Sequence, residues 1–180
     1  MLERADDVGG TWRDNTYPGA ACDVPSNLYS FSFAKNPNWS RAYSRSAEIQ
    51  GYVQRIVDEH GLRPRIQFHQ DVCAMRFDEP AGEWEVRTRH GGVFRARSVI
   101  SALGGLTNPS LPAIEGIERF TGKTIHSARW DHGYDFAGKR VAVIGTGASA
   151  VQIIPELVKV AGHVKVFQRT PGWVVPRPDY

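Results

Sequence analysis

The sequence predicts an α/β fold organised around a dinucleotide-binding unit, and three observations carry that prediction. A short apolar run at residues 141–144 stops abruptly at Gly145-Thr146-Gly147, and a helical pattern follows from Ala148. A second strand-like run, residues 163–168, completes a strand–helix–strand unit after it. Upstream, residues 66–96 read as short strands separated by turns, and Pro109 and Pro112 mark a break between that part and the glycine unit.

Each residue of the glycine turn has a physical task. Gly145 permits the tight turn, and Gly147 lets the backbone approach a diphosphate without a side chain in the way. Ala150 is the small residue that lets helix and strand pack closely. The helix N-terminus offers unpaired N–H groups and the positive end of its dipole. An NAD-binding unit carries an acid at the end of its second strand, where it binds the ribose 2′-hydroxyl. No acid lies between Glu156 and Asp179, and Arg169 occupies that place. A guanidinium there can pair with a 2′-phosphate, which points to NADPH.

Composition excludes several classes. At 180 residues and 41% hydrophobic content the chain is long enough for one good core. No apolar run approaches the ~20 residues of a membrane span, and the N-terminus opens with Glu3, Arg4, Asp6 and Asp7 rather than a leader. Cys22 and Cys73 have no metal-ligand spacing, so the expectation is a reduced, cytoplasmic protein without a metal. A net charge of +3 with scattered arginines argues against nucleic acid.

The remaining elements follow in order. Leu2 and Glu3, with Gly9-Gly10 close behind, read locally as a frayed terminus, or else as the end of a strand whose Glu3 would serve a dinucleotide unit with its strand and glycine loop upstream. Residues 15–38, rich in Pro, Gly, Asn and aromatics, form a long loop that must pack on something. Ser46 is the expected cap of a helix with Ile49, Tyr52, Val53, Ile56 and Val57 on one face, ended by Gly61. Strands are predicted at residues 66–68, 72–77, 84–88 and 93–96, with turns at residues 79–82 and 90–92. Residues 99–103 read as a buried strand. Pro155 should kink or shorten the glycine-loop helix, and a proline-rich loop occupies residues 170–178.

Residues 120–131 then supply a longer pattern. Phe120, Gly122, His126, Trp130 and Asp131 fit FxGxxxHxxxW(P/D), and the chain resembles the type I Baeyer–Villiger monooxygenases of the flavin-containing monooxygenase superfamily. Gly9-Gly10-Thr11-Trp12, Tyr17-Pro18-Gly19-Ala20, Cys22-Asp23 and residues 166–171 are similar to that family in the same order. The resemblance implies a Rossmann-like flavoprotein with two dinucleotide-binding domains, both incomplete. Residues 1–110 would be a partial FAD domain, 111–139 a linker with the fingerprint, and 140–180 the start of an NADPH domain.

The resemblance also implies roles. Glu3 would bind the adenosine ribose of FAD, and Val72 the adenine through its backbone. Gly10, Thr11, Trp12 and Arg13 would lie along the flavin, with Asp23 and Tyr29 near its ring system. Asp23 would help hold an active-site arginine that these residues do not include, which makes it the expected catalytic position. Gly145, Thr146, Gly147, Ser149, Ala150 and Gln152 would hold the NADPH diphosphate, and Arg169 with Thr170 its 2′-phosphate. His126 and Trp130 would couple cofactor binding to domain motion. The implied reaction passes a hydride from NADPH to FAD, adds O2 to form a flavin peroxide, and converts a ketone to an ester or lactone. Two departures stand out: the first GxGxxG is absent, and Ala21 replaces the arginine that often precedes Cys-Asp. The expectation is therefore an inactive fragment. An N- or S-oxidising flavin monooxygenase and a non-catalytic NADPH-binding module are the alternatives.

Overall fold

The computed structural model describes residues 1–106, 108–173 and 175, so the last part of the proline-rich run at residues 170–178 lies outside them. The chain divides into two compact units that are not contiguous in sequence. One joins Met1–Gly10 to Gly51–Gly105, and the other joins Thr11–Gln50 to the residues from Leu106 onward. Residues 11–50, expected with the preceding part of the chain, thus cluster with the glycine-loop part. Among the described residues no helix is long and apolar enough to cross a membrane.

The first unit is built on an antiparallel sheet in the order β1 (Val72–Asp78), β2 (Glu83–Thr88), β3 (Val93–Ala96). Alternation sorts the side chains by face. Met75, Phe77, Trp84, Val86 and Phe94 share one face by register, and Phe77 packs on Trp84 with ring centres 5.4 Å apart. The opposite face carries Arg95 between Glu83 and Glu85, at 2.8 and 3.0 Å. Residues 66–68, expected as a strand, form only an isolated parallel bridge between Gln67 and Leu2. His69 takes a left-handed φ of +58, and the bonds that follow the bridge, His69 N–H to the Ala5 carbonyl and Gln70 N–H to that of Glu3, leave strand register. The expected buried strand at residues 99–103 is also absent. That stretch is irregular and open, with Ile100 93% and Leu103 79% exposed. Its composition suits a strand, but among the described residues no neighbour pairs with it, and an unpaired strand cannot satisfy its backbone.

The second unit holds β4 (Arg140–Ile144), α3 (Ala148–Val158) and β5 (His163–Phe167), with β4 and β5 parallel and in register from Arg140↔His163 to Ile144↔Phe167. This is the predicted strand–helix–strand unit. Ile153 and Leu157 on α3 pack with Tyr17 and Ala20, and Val141, Val143, Val164, Trp130 and Phe136 close around them. The long aromatic loop therefore seats on the glycine-loop helix. Pro155 lies inside α3, which nevertheless runs unbroken to Val158, so the expected shortening does not occur. A missing N–H forfeits a single bond, and the Ile153 and Leu157 contacts outweigh it.

Two further helices complete the picture. The sequence pattern missed α1 (Thr11–Asp14), a single turn. Helix α2 (Ser46–Glu59) buries Ile49, Tyr52, Ile56 and Val57 as predicted, and the division between units passes through it. Ser46 does not cap it. The first helical carbonyl belongs to Arg45, which accepts from Ile49 at 3.2 Å, while the Ser46 hydroxyl lies 2.8 Å from the Trp12 carbonyl and 2.9 Å from that of Asn15. A serine one position inside the helix points its hydroxyl outward to other backbone rather than to its own. At the other end Leu62 N–H reaches the Val57 carbonyl at 2.9 Å across Gly61, the stop that the glycine predicted.

Candidate functional site

The glycine turn is the best-defined part of the candidate site. Gly145 adopts φ +104, a conformation only glycine takes without strain, and its N–H donates to the Phe167 carbonyl at 2.9 Å. Gly147 stands at the start of α3, which has no side-chain cap. A Cβ added at Gly145 or Gly147 would meet no atom within 4 Å, so open space faces the backbone where a diphosphate would lie. Ser149 and Ala150 are half-buried in the first turn. Thr146 accepts from Gln168 Nε2 at 3.1 Å, a tie between the turn and the end of β5. Arg169 and Thr170 follow that tie and are exposed. The donors, the glycine cradle and the exposed arginine beyond it fit a phosphorylated dinucleotide.

Gln152 is placed differently from the other residues expected at the diphosphate. Its Oε1 accepts from the Tyr17 hydroxyl at 3.0 Å and from Ala21 N–H at 3.4 Å, while its Nε2 donates to the Ala21 carbonyl at 2.9 Å. Both ends of the amide thus face the aromatic loop.

The fingerprint residues lie in the same unit. Phe120 is 61% exposed, and its ring lies over the Cα of Gly122, where any Cβ would strike it. His126 caps a short turn, with Nδ1 accepting from Ala128 N–H at 3.1 Å. Trp130 is half-buried and stacks on Phe136, ring centres 5.3 Å apart at 21°. Lys123 and Asp131 pair at 2.6 Å and tie the middle of the fingerprint to its end. The Lys123 ammonium, joined by Gly133 N–H, holds the Asp131 carboxyl below the usual carboxylate range. Beyond it, the His132 ring lies 2.8 Å from the Thr16 hydroxyl. Nothing in the spacing of the sequence links Thr16 to His132, which stand so far apart. Gln168 was visible only as part of a family-like stretch.

The residues expected near the flavin fall in both units. In the first, Glu3 holds its carboxylate through Ala5 N–H at 2.8 Å and donates its own N–H to Gln67 at 2.9 Å. Gln70 N–H in turn reaches the Glu3 carbonyl at 2.8 Å, which brings the segment before Val72 alongside it. Gly10 has φ +50, with open space where a Cβ would stand. In the second unit, Trp12 Nε1 donates to the Tyr29 hydroxyl at 3.1 Å and the two rings meet edge to face. Arg13 pairs with Asp14 through Nε at 2.8 Å, and Thr11 begins α1. Asp23 is exposed, just past buried Cys22. Among the described residues no cluster of His, Cys, Asp or Glu could hold a metal ion.

The chain as a whole is similar to known proteins. Residues 1–179 match the flavin-binding monooxygenase-like family. A Baeyer–Villiger monooxygenase of Streptomyces coelicolor is 53% identical over 179 residues, which is 99% of this chain and 34% of that protein. An oxidised steroid monooxygenase bound to NADP superposes with a TM-score of 0.92 at 43% identity, over 99% of this chain and 35% of that one. The enzyme OTEMO in complex with FAD and NADP superposes at 0.93 and 40% identity, over 99% and 35%. The chain thus spans about a third of the length of the relatives it matches.

Proposed function

This chain belongs to the flavin-binding monooxygenase-like family, and from that premise we propose that the protein carrying it is an FAD- and NADPH-dependent monooxygenase of Baeyer–Villiger type. Its substrates would be a ketone and O2, and its product an ester or lactone. The observation that carries this reading is that Trp130 of the fingerprint packs on the same cluster that seats the glycine-loop helix, through Tyr17, Ala20, Ile153 and Leu157. A fingerprint attached to that helix can feel whether the nucleotide is bound.

The bound cofactors would supply the chemistry, NADPH the hydride and FAD the redox and oxygen steps. The residues of this chain would bind and orient them. Gly145, Thr146, Gly147, Ser149 and Ala150 receive the diphosphate on backbone N–H groups, and Arg169 with Thr170 receives the 2′-phosphate. Glu3 and Val72 address the adenosine end of FAD; Gly10, Thr11, Trp12, Arg13, Asp23 and Tyr29 address its flavin end. A cytoplasmic setting suits these cofactors.

Two experiments on the native-length protein test the reading. Arg169→Ala should weaken NADP+ binding at least tenfold and leave NAD+ binding within about twofold, by titration, since a charge-assisted phosphate pair contributes about 1.5–3 kcal/mol. Unchanged preference between the two nucleotides would remove Arg169 from the 2′-phosphate. Ester formation from a ketone, measured against N- and S-oxidation of amines and sulfides, separates the Baeyer–Villiger reading from its nearest alternative. Loss of all oxygenation with nucleotide binding retained would leave a binding module.

A further inference from the structure

We propose that Gln152 is a positioning residue, whose side-chain amide stands in for a neighbouring β-strand and holds the loop leading to Asp23 on the glycine-loop helix. The proposal rests on the NADPH reading for its kinetic consequence, and on geometry alone for the latch itself.

Ala21 forms an isolated antiparallel bridge with Arg45. Around that bridge Cys22 N–H donates to the Ser44 carbonyl and Ser46 N–H donates to the Ala20 carbonyl, each at 2.9 Å. In an extended segment successive peptide groups point to opposite edges, so Ala21's own N–H and C=O point the other way. Gln152 meets both of them: Nε2 donates to the Ala21 carbonyl and Oε1 accepts from its N–H. The Tyr17 hydroxyl donates to the same Oε1 and orients it. A side-chain amide offers a donor and an acceptor on one carbon in a single plane, as a peptide does.

A second feature marks the same contact. Gly19 has φ +81, and a Cβ there would stand 2.5 Å from the Gln152 backbone oxygen. The loop therefore approaches α3 more closely than any side chain would allow. Tyr17 and Ala20 are both buried beside Ile153 and Leu157. With its side chain aligned on Ala21, Gln152 acts on the reaction through the loop and not through the diphosphate. Asp23, two residues past Ala21, is the position whose placement it governs.

Gln152→Glu keeps the acceptor, loses the donor and sets a carboxylate against the Ala21 carbonyl; Tyr17→Phe is a milder change that removes one bond. The native-length protein would be compared in three measurements. Hydrogen–deuterium exchange of the peptide covering residues 17–23, without nucleotide, should quicken at least tenfold in Gln152→Glu and less in Tyr17→Phe. NADP+ Kd should stay within twofold. Flavin reduction at saturating NADPH should slow at least fivefold, with Tyr17→Phe between. A tenfold rise in NADP+ Kd with unchanged exchange would make Gln152 a diphosphate ligand and overturn the proposal. Faster exchange with an unchanged reduction rate would reduce it to a structural contact, and no change in any measurement would leave it no role. A wild-type protein that binds no NADPH would sink the functional reading, and the exchange measurement would still decide the latch.

Discussion

At the scale of single residues, the decisive positions are those where chemistry and geometry leave no substitute. Gly19 is one, because both its φ of +81 and its closeness to the Gln152 carbonyl exclude a side chain. Gly19→Ala should destabilise the fold by roughly 2–4 kcal/mol, combining left-handed strain with the steric displacement of backbone. Chemical unfolding would measure it, and a cost below ~1 kcal/mol would show that the loop simply moves away. Asp131 matters in a different way, through a pH signature. Its carboxyl is held below the ordinary value by Lys123, so the folded state favours its charged form. Its contribution to stability is present above the unfolded carboxylate pKa and is lost as pH falls through the lower folded one. Melting temperatures of wild type and Asp131→Asn should therefore differ at neutral pH and converge as pH falls below about 4. A gap that persists into acid would assign the effect to something other than the Lys123 pair.

At the scale of elements, hydrophobic period and turn chemistry were reliable where an element's partners are near in sequence. The strands β1, β2 and β3 pair with the next strand along, and their turns were visible as residues 79–82 and 90–92. The β4–α3–β5 unit was equally plain, since glycines, apolar runs and the helix agree. Residues 99–103 failed for the opposite reason: a strand exists only when something pairs with it, and no pattern within the run reveals that. Helix α3 supplies a quantitative test. Pro155 sits mid-helix and is exposed, without a backbone bond to Val151. Pro155→Ala should restore that bond and stabilise by about 1–2 kcal/mol, after allowing for the more flexible unfolded chain. A loss of stability would mean that the proline ring itself contributes packing.

At the scale of the whole molecule, much apolar surface meets solvent. In the first unit Ile100 and Leu103 are open, and in the second Ile144 is 57% and Phe167 47% exposed. Parallel strands are ordinarily covered on both faces, and β4 and β5 carry a helix on one. The 180 residues expressed alone should therefore bind a hydrophobic dye and elute from size exclusion ahead of their monomer mass of 20.0 kDa. Ile100→Lys with Leu103→Lys should reduce both effects. A monodisperse chain that binds no dye would show that these side chains find cover of their own.

The sequence by itself determined the glycine turn, the absence of an acid after the second strand, and the twelve-residue fingerprint, because each is a local pattern of residue types. It also determined the family, since these patterns recur in order along the chain. Only the tertiary structure decided what those patterns touch. It paired Gln152 with Ala21 and Tyr17, moved Ser46 from cap to tether, joined His132 to Thr16, and left Phe120 in solvent. The reason is physical: a side chain's type limits the bonds it can make, but which of them it makes depends on backbone brought close from 31 to 131 positions away.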